Sequence, residues 1–390
     1  MATRTRKSPS DDTASLDTSA SPVLQRPPAE ILHADELARL RASDTDPRPP
    51  GWQLSLRAVR AFLLGDAALG VEAKIVLPVA SVERMLVTLA TGRGLMLVGE
   101  PGTAKSMLSE LLAAAVSGTS TLTIQGGASL TEDQIRYGWN YALLINEGPS
   151  PRALVPAPLY QGMRDGRIVR FEEITRTPLE VQDCLLGMLS DRVMAVPELA
   201  GEHAMLYARE GFNIIGTANT RDRGVNEMSA ALKRRFDFET VFPIGDFDRE
   251  LALVEDASAR LLTRSGIPTP VPRQVLEVLV STFRDLREGV AEAKGRGGIA
   301  GSGASGGTDR LTAVMSTAEA VNVAHAVGVR AWFLDRREGA PADVVDCIVG
   351  TVVKDNAEDL AKLRRYFEQK VSKRAGNHWR AFYEARHRLP

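Results

Sequence analysis

The sequence predicts an α/β fold, a parallel five-stranded sheet with helices on both faces, followed by an all-helical domain. Three observations lead there. Five short apolar runs alternate with helix-period segments between residues 94 and 244. A glycine-rich octapeptide, GEPGTAKS at 99–106, stands between the first apolar run and a helix. Beyond about residue 246 the strand-like runs stop and helical spacing takes over.

Residues 1–50 are rich in Ser, Thr, Asp and Pro and end in DPRPP. Such a composition buries too little apolar surface to offset chain entropy, so most of this stretch is expected to be disordered, with a short helix over AEILHADELARLRA. From Gly51 the character changes. GLMLVG (94–99) reads as a buried strand, and KSMLSELLAAAVSG as a helix with Leu108, Leu111, Leu112 and Ala115 on one face and Gly118 as its stop. TLTIQG (121–126), IVRFEE (168–173), FNIIGTAN (212–219) and FETVFPI (238–244) are four further strands. TPLEVQDCLLGMLSDR is expected to be one helix, with Thr177 as N-cap, Pro178 in first position and Glu180 closing a capping box.

The predicted domains are therefore 51–246 for the α/β unit and 247–390 for the helical one. Helical spacing covers 247–264, 271–293, 308–333 and 341–371, interrupted by a flexible Gly/Ser-rich loop at 294–307. The last stretch, from Lys362, is basic with interleaved aromatics. It reads as a solvated helix face or an oligomer contact, with nucleic acid the less favoured alternative.

Composition narrows the function classes. With 44% hydrophobic residues in 390, the chain can bury at least one full core. A formal net charge of −1 gives no global pull toward nucleic acid or membrane. Cys184 and Cys347 form no disulfide framework and no metal spacing, and read as reduced core residues. No apolar run is long enough to span a bilayer, and none of signal-peptide length follows the basic start, so a cytoplasmic protein is expected.

The octapeptide carries the first chemistry. G-x-x-x-x-G-K-[ST] after a strand and before a helix is a phosphate-binding loop, because backbone N–H groups and the helix dipole together make an anion site. Here Gly99, Glu100, Pro101, Gly102, Thr103, Ala104, Lys105 and Ser106 fill it, with Ala104 in place of the second glycine. Lys105 is placed to reach the β- and γ-phosphates and Ser106 to ligate Mg²⁺. Ala104 is expected to turn into the helix without a positive φ. Such a loop needs a second, acidic strand, and IVRFEEITR offers Glu172 and Glu173. One carboxylate can hold the metal shell and the next can polarise water. Asn219, at the end of FNIIGTAN, puts an amide near the same edge. Arg234 and Arg235 are either a surface ion-pair face or the source of an arginine acting on a neighbour's nucleotide.

The order LVGEPGTAKS, RFEEITRTPLEVQDCLLGMLSDR, IIGTANT, ALKRRFDFE resembles the MoxR group of AAA+ ATPases, over roughly residues 70–370. Members of that group commonly carry alanine before the lysine. The resemblance implies ATP and Mg²⁺ as cofactors, Walker A at 99–106, Walker B ending in Glu172 and Glu173, sensor 1 at Asn219, an arginine finger at Arg235 and a sensor 2 arginine at Arg310. It also implies a helix insert and a hairpin, at about 126–167 and 192–211, facing a central pore. A homo-oligomeric ring, a hexamer, acting on a protein client follows from it, the client often bearing a von Willebrand factor A domain. Two departures stand out: Glu172 where the group usually has aspartate, and Arg170 in a strand that is usually apolar throughout. The alternatives are a DNA-acting AAA+ translocase, disfavoured by the acidic VPELAGEHAMLYARE, and a non-hydrolysing nucleotide-gated scaffold.

Overall fold

The computed structural model describes residues 24–219, 226–288, 315–354 and 356–390. Among the described residues nine strands follow one another: β1 (Gly94–Gly99), β2 (Thr123–Gln125), β3 (Tyr137–Trp139), β4 (Leu154–Pro156), β5 (Ile168–Glu172), β6 (Val193–Ala195), β7 (Met205–Tyr207), β8 (Asn213–Asn219) and β9 (Phe236–Val241). Five of them form the main sheet in the order β2-β5-β8-β1-β9, and every pairing in it is parallel. The other four make two antiparallel pairs, β3 with β4 and β6 with β7, inside the two stretches read as insert and hairpin.

Both faces of the sheet are covered, which is why its strands are apolar without alternation. Leu95, Leu97, Ile168 and Ile215 pack on one face with residues of the helices Leu56–Leu64, Val79–Ala90 and Lys105–Ser117. Met96, Val169, Phe171 and Ile214 pack on the other with Leu159, Met163, Leu185 and Met188. From β1 the chain leaves for the far edge at β2 and returns through β5 and β8 to β9, so the connections leaving the neighbours β1 and β8 run in opposite directions. The crevice outside the carboxyl end of β1 is the place where such sheets receive ligands.

Two local expectations in the α/β unit are corrected. β9 runs from Phe236 to Val241, not 238–244: the turn after Ala230–Lys233 delivers Phe236 opposite Gly94, and Val241 opposes Gly99, where β1 itself ends. The helix expected from Thr177 is two short ones, Leu179–Asp183 and Leu185–Ser190, meeting at Cys184. Pro178 sits at ψ 147°, an extended rather than a helical value, so it becomes the N-cap itself, and no side chain caps the helix. Thr177 is buried, and its carbonyl instead accepts from Gln182 Nε2 at 2.8 Å and Asn226 Nδ2 at 2.9 Å.

In the amino-terminal stretch the short helix expected over AEILHADELARLRA is present, in two pieces, and residues 1–23 lie outside the described residues. Residues 29–32 and 34–43 are helical, and Ala29, Leu37 and Leu40 are buried in the same core as Phe62 and Leu63. The Glu30 carboxylate accepts from Ser120 N–H and Oγ at 3.0 and 2.6 Å.

The carboxy-terminal half is helical: Phe247–Arg264, Arg273–Glu288, Thr317–Phe333, Pro341–Val352, Ala357–Gln369 and Asn377–Glu384. The 341–371 stretch thus divides in two. Tyr366, Phe367, Trp379 and Phe382 are buried in this domain's core, so the tail's aromatics are packing residues rather than a stacking surface. The loop at 294–307 lies outside the described residues.

Candidate nucleotide and metal site

The loop 99–106 leaves β1 and enters the helix Lys105–Ser117 as expected, but its conformation differs at one residue. Ala104 has φ 62° and ψ 24°, in the left-handed region. The turn needs the geometry that glycine provides freely, and alanine holds it at a cost of about 1–2 kcal/mol. Gly102, at φ 77°, is left-handed too. At Gly99 an added Cβ would fall 2.3 Å from the Val241 carbonyl oxygen. Thr103 Oγ1 closes the loop by donating to Glu100 O at 2.9 Å. Lys105 is buried, and its ammonium donates to the carbonyls of Gly99 and Glu100 at 3.1 and 2.8 Å.

The acidic strand meets the loop through side chains. Ser106 Oγ donates to Glu172 Oε2 at 2.7 Å and Thr217 Oγ1 to the same oxygen at 2.8 Å. Ser109 Oγ donates to Oε1 at 2.6 Å, and Arg170 Nη2 to Oε1 at 2.8 Å. Burial pushes the Glu172 carboxyl up, but the hydrogen bonds from Ser109 and Ser106, the Arg170 charge and Thr217 outweigh it, so it is held below the ordinary value. Glu173 follows at φ 53°. Its N–H donates to Thr217 Oγ1 at 2.9 Å, and its carboxylate faces Arg176 Nε at 3.1 Å. The left-handed turn lifts Glu173 out of the strand's alternation, so the two glutamates serve different directions. Asn219 ends β8 opposite Gly99, at the same edge of the sheet as the loop.

The oxygen-only set of Ser106 and Glu172 suits a hard dication such as Mg²⁺. Among the described residues no cluster of three or more His, Cys, Asp or Glu could hold a metal ion.

Beside the loop lies a cavity of about 310 Å³ that sequence reading missed. Ile75, Val76, Leu77, Phe242, Ile244 and Met315 give it apolar walls, with Gly102, Thr103 and Ala104 at one end. Its size and lining suit a nucleoside. Arg287 also lines it, donating to Met315 O at 2.8 Å and to buried Glu250 at 2.9 Å. Ser109 and Thr217 had faint sequence signals: a serine one turn after Ser106, and a polar residue two before Asn219 in an apolar strand.

Arg235 lies elsewhere. Its carbonyl accepts from Gly94 N–H at 3.1 Å, at the start of β1, and its Nε donates to Ser190 Oγ at 2.5 Å. Arg235 is exposed, and the five steps of β1 separate its backbone from the phosphate loop of its own chain by about 16 Å. Arg310 lies outside the described residues.

A phosphate loop at the carboxyl edge of a parallel sheet ordered β2-β5-β8-β1-β9, followed by a helical domain, defines a P-loop AAA+ protein. Residues 94–236 match the AAA domain of the dynein-related subfamily, and residues 248–390 match the YehL-like AAA+ ATPase C-terminal domain. YehL of Escherichia coli K12 is 72% identical over 367 residues, covering 94% of this chain and 98% of that protein. The chain belongs to the YehL-like AAA+ ATPases. SH1500 of Staphylococcus haemolyticus is 28% identical over 144 residues, 37% of this chain and 53% of that one. Among solved structures, NtrX of Brucella abortus in complex with ADP superposes with a TM-score of 0.46 at 13% identity, over 80% of this chain and 64% of that one. No helix among the described residues is long and apolar enough to cross a membrane.

Proposed function

We propose that this chain binds ATP in the crevice above β1 and hydrolyses it with Mg²⁺, as one subunit of a homo-oligomeric ring, a hexamer. Turnover remodels or activates a protein client, in the manner of the MoxR group. The client class we infer, on the sequence resemblance alone, is a protein carrying a von Willebrand factor A domain. The cytoplasm is the compartment that fits such a motor.

The observation that carries this reading is the 2.7 Å contact between Ser106 and Glu172. It joins the phosphate loop to the acidic strand at the one place where a metal-bound triphosphate needs both. The loop amides and Lys105 cradle the β- and γ-phosphates. Ser106 and, behind it, Glu172 would hold Mg²⁺, which would neutralise phosphate charge there. Glu173 polarises the water that attacks the γ-phosphorus as the bond to the ADP oxygen breaks, and Asn219 helps to fix that water. Arg235 is assigned to the neighbouring subunit's γ-phosphate, which fits its distance from its own loop. Arg310 is assigned as sensor 2 by the resemblance.

Steady-state phosphate release from ATP with Mg²⁺ tests the reading. Turnover is expected in the wild type and absent in Lys105→Ala, which also loses nucleotide binding. A wild type that binds nucleotide yet releases no phosphate replaces the ATPase reading with a nucleotide-gated scaffold.

A further inference from the structure

Arg170 has no place in the reading above, yet it is among the most heavily bonded side chains at the site. It is only 7% exposed, on the same face of β5 as Glu172. Nε donates to Ser109 Oγ at 3.0 Å. Nη1 donates to Ser120 O at 3.1 Å and Thr123 Oγ1 at 3.3 Å. Nη2 donates to Ser106 O at 3.0 Å and Glu172 Oε1 at 2.8 Å. One planar guanidinium thus ties the helix of the phosphate loop, the edge strand β2 and the metal-side carboxylate together.

The consequence lies in the charge count. An ionised carboxylate offers about four acceptor positions. Those of Glu172 are taken by Ser109 and Arg170 on one oxygen and by Ser106 and Thr217 on the other. The carboxylate is saturated, and one of its donors is a fixed cation in a poorly solvated place, where charge is weakly screened. Glu172 and Arg170 together present no net charge to an arriving metal or phosphate. Ser106 keeps lone pairs for a cation while its own proton points at Glu172.

We propose that Arg170 is a positioning residue and built-in counter-ion: it fixes Glu172 against Ser106 and cancels its charge, so the chain binds metal-free and Mg²⁺-loaded nucleotide with nearly equal affinity. Without Arg170 the bare Glu172 carboxylate repels phosphate until a dication covers it. This rests on the nucleotide site proposed above.

The test is the affinity of the full-length chain for a fluorescent ADP analogue, measured in excess Mg²⁺ and again in EDTA. In the wild type the two affinities agree within about threefold. In Arg170→Met the metal-free affinity falls about tenfold or more while the Mg²⁺ affinity holds, and Arg170→Lys, which keeps the charge, returns the ratio toward the wild type. A purely structural role weakens both affinities alike and leaves the ratio unchanged, and that result overturns the proposal. So does a wild-type ratio of tenfold or more. If Arg170→Met does not fold, Glu172→Gln carries the test. It leaves the arginine uncompensated, and metal-free ADP must then bind tighter than in the wild type; equal or weaker binding overturns the proposal. Binding that Lys105→Ala abolishes, with an unmoved ratio, defeats only the role of Arg170. A wild type that binds no ADP defeats the nucleotide site as well.

Discussion

Ser316 stands directly on Gly102. A Cβ built at Gly102 would fall 2.0 Å from Ser316 Cβ and 2.3 Å from its Oγ. Ser316 caps the helix Thr317–Phe333, accepting from Glu319 N–H at 3.2 Å, so the phosphate loop and the helical domain touch through a glycine with no spare room.

Gly102→Ala is therefore expected to do more than strain the loop. The left-handed φ costs about 1–2 kcal/mol. The methyl must also push the capped helix away from the cavity that both domains line. Nucleotide affinity, measured by fluorescence titration, should fall. Adding Ser316→Gly removes the opposing side chain while glycine still caps acceptably, so part of the affinity should return. Double and single variants of equal affinity would show that the contact is incidental.

Ala104→Gly should stabilise the chain. The left-handed conformation observed at Ala104 is strained for alanine, and glycine relieves about 1 kcal/mol of it. Urea unfolding of the nucleotide-free chain should show a higher midpoint, and Ala104→Val a lower one. An unchanged or lower midpoint for the glycine variant means that the loop is not held in this conformation.

How far these features were legible follows from how local they are. The strands, the loop and the helix Lys105–Ser117 were written in neighbouring residues, and so were Glu172, Glu173 and Asn219. The φ of Ala104 was not, because alanine also fits a helix start and only the angle between β1 and the helix decides. The four donors on Glu172 come from three separate elements, so no spacing rule gathers them. The cavity is assembled from residues 75–77, 242–244 and 315–322, which only packing brings together. Pro178 misled because a proline before a helix serves equally as first residue or as cap, depending on its ψ.

The two cysteines should resist alkylation. Burial pushes the Cys184 thiol up to about 12 and the Cys347 thiol to about 11. A raised thiol pKa keeps the group protonated and unreactive at neutral pH. Each unit removes tenfold of thiolate, so labelling by maleimide at pH 7.5 should run about 10²–10³ slower than for a free thiol. Labelling at the free-thiol rate in the folded chain would mean that these helices open readily.

Glu173→Gln should bind nucleotide normally and lose turnover by about 10²–10⁴-fold, the usual worth of a positioned base. Glu173 sits on a left-handed turn beside Asn219's strand, outside the four-donor set that fixes Glu172. Glu172→Gln should instead change how turnover depends on Mg²⁺ concentration. Phosphate release across a magnesium titration separates the two. If Glu172→Gln loses turnover at every magnesium concentration while Glu173→Gln shifts the titration, their roles are exchanged.

Arg235 decides whether one subunit completes another's site. The Gly94 N–H to Arg235 carbonyl bond fixes this arginine at the foot of β1, while Lys105 lies beyond its other end. That length exceeds the reach of an arginine side chain, so an action on γ-phosphate is expected at a neighbour's site rather than its own. Arg235→Ala should leave the chain's own nucleotide binding intact and lower hydrolysis by about 10³–10⁵-fold, the usual contribution of an arginine finger. Mixing gives the sharper result. A Glu173→Gln subunit cannot hydrolyse but can lend its Arg235, while an Arg235→Ala subunit has a complete site and nothing to lend. Rings containing both should regain activity wherever the complete site meets the intact arginine. The mixture must first be shown by native mass measurement to share rings. If it then has no more activity than either parent, the trans role leaves Arg235. Arg234, exposed on the same turn, would become the residue to test in its place.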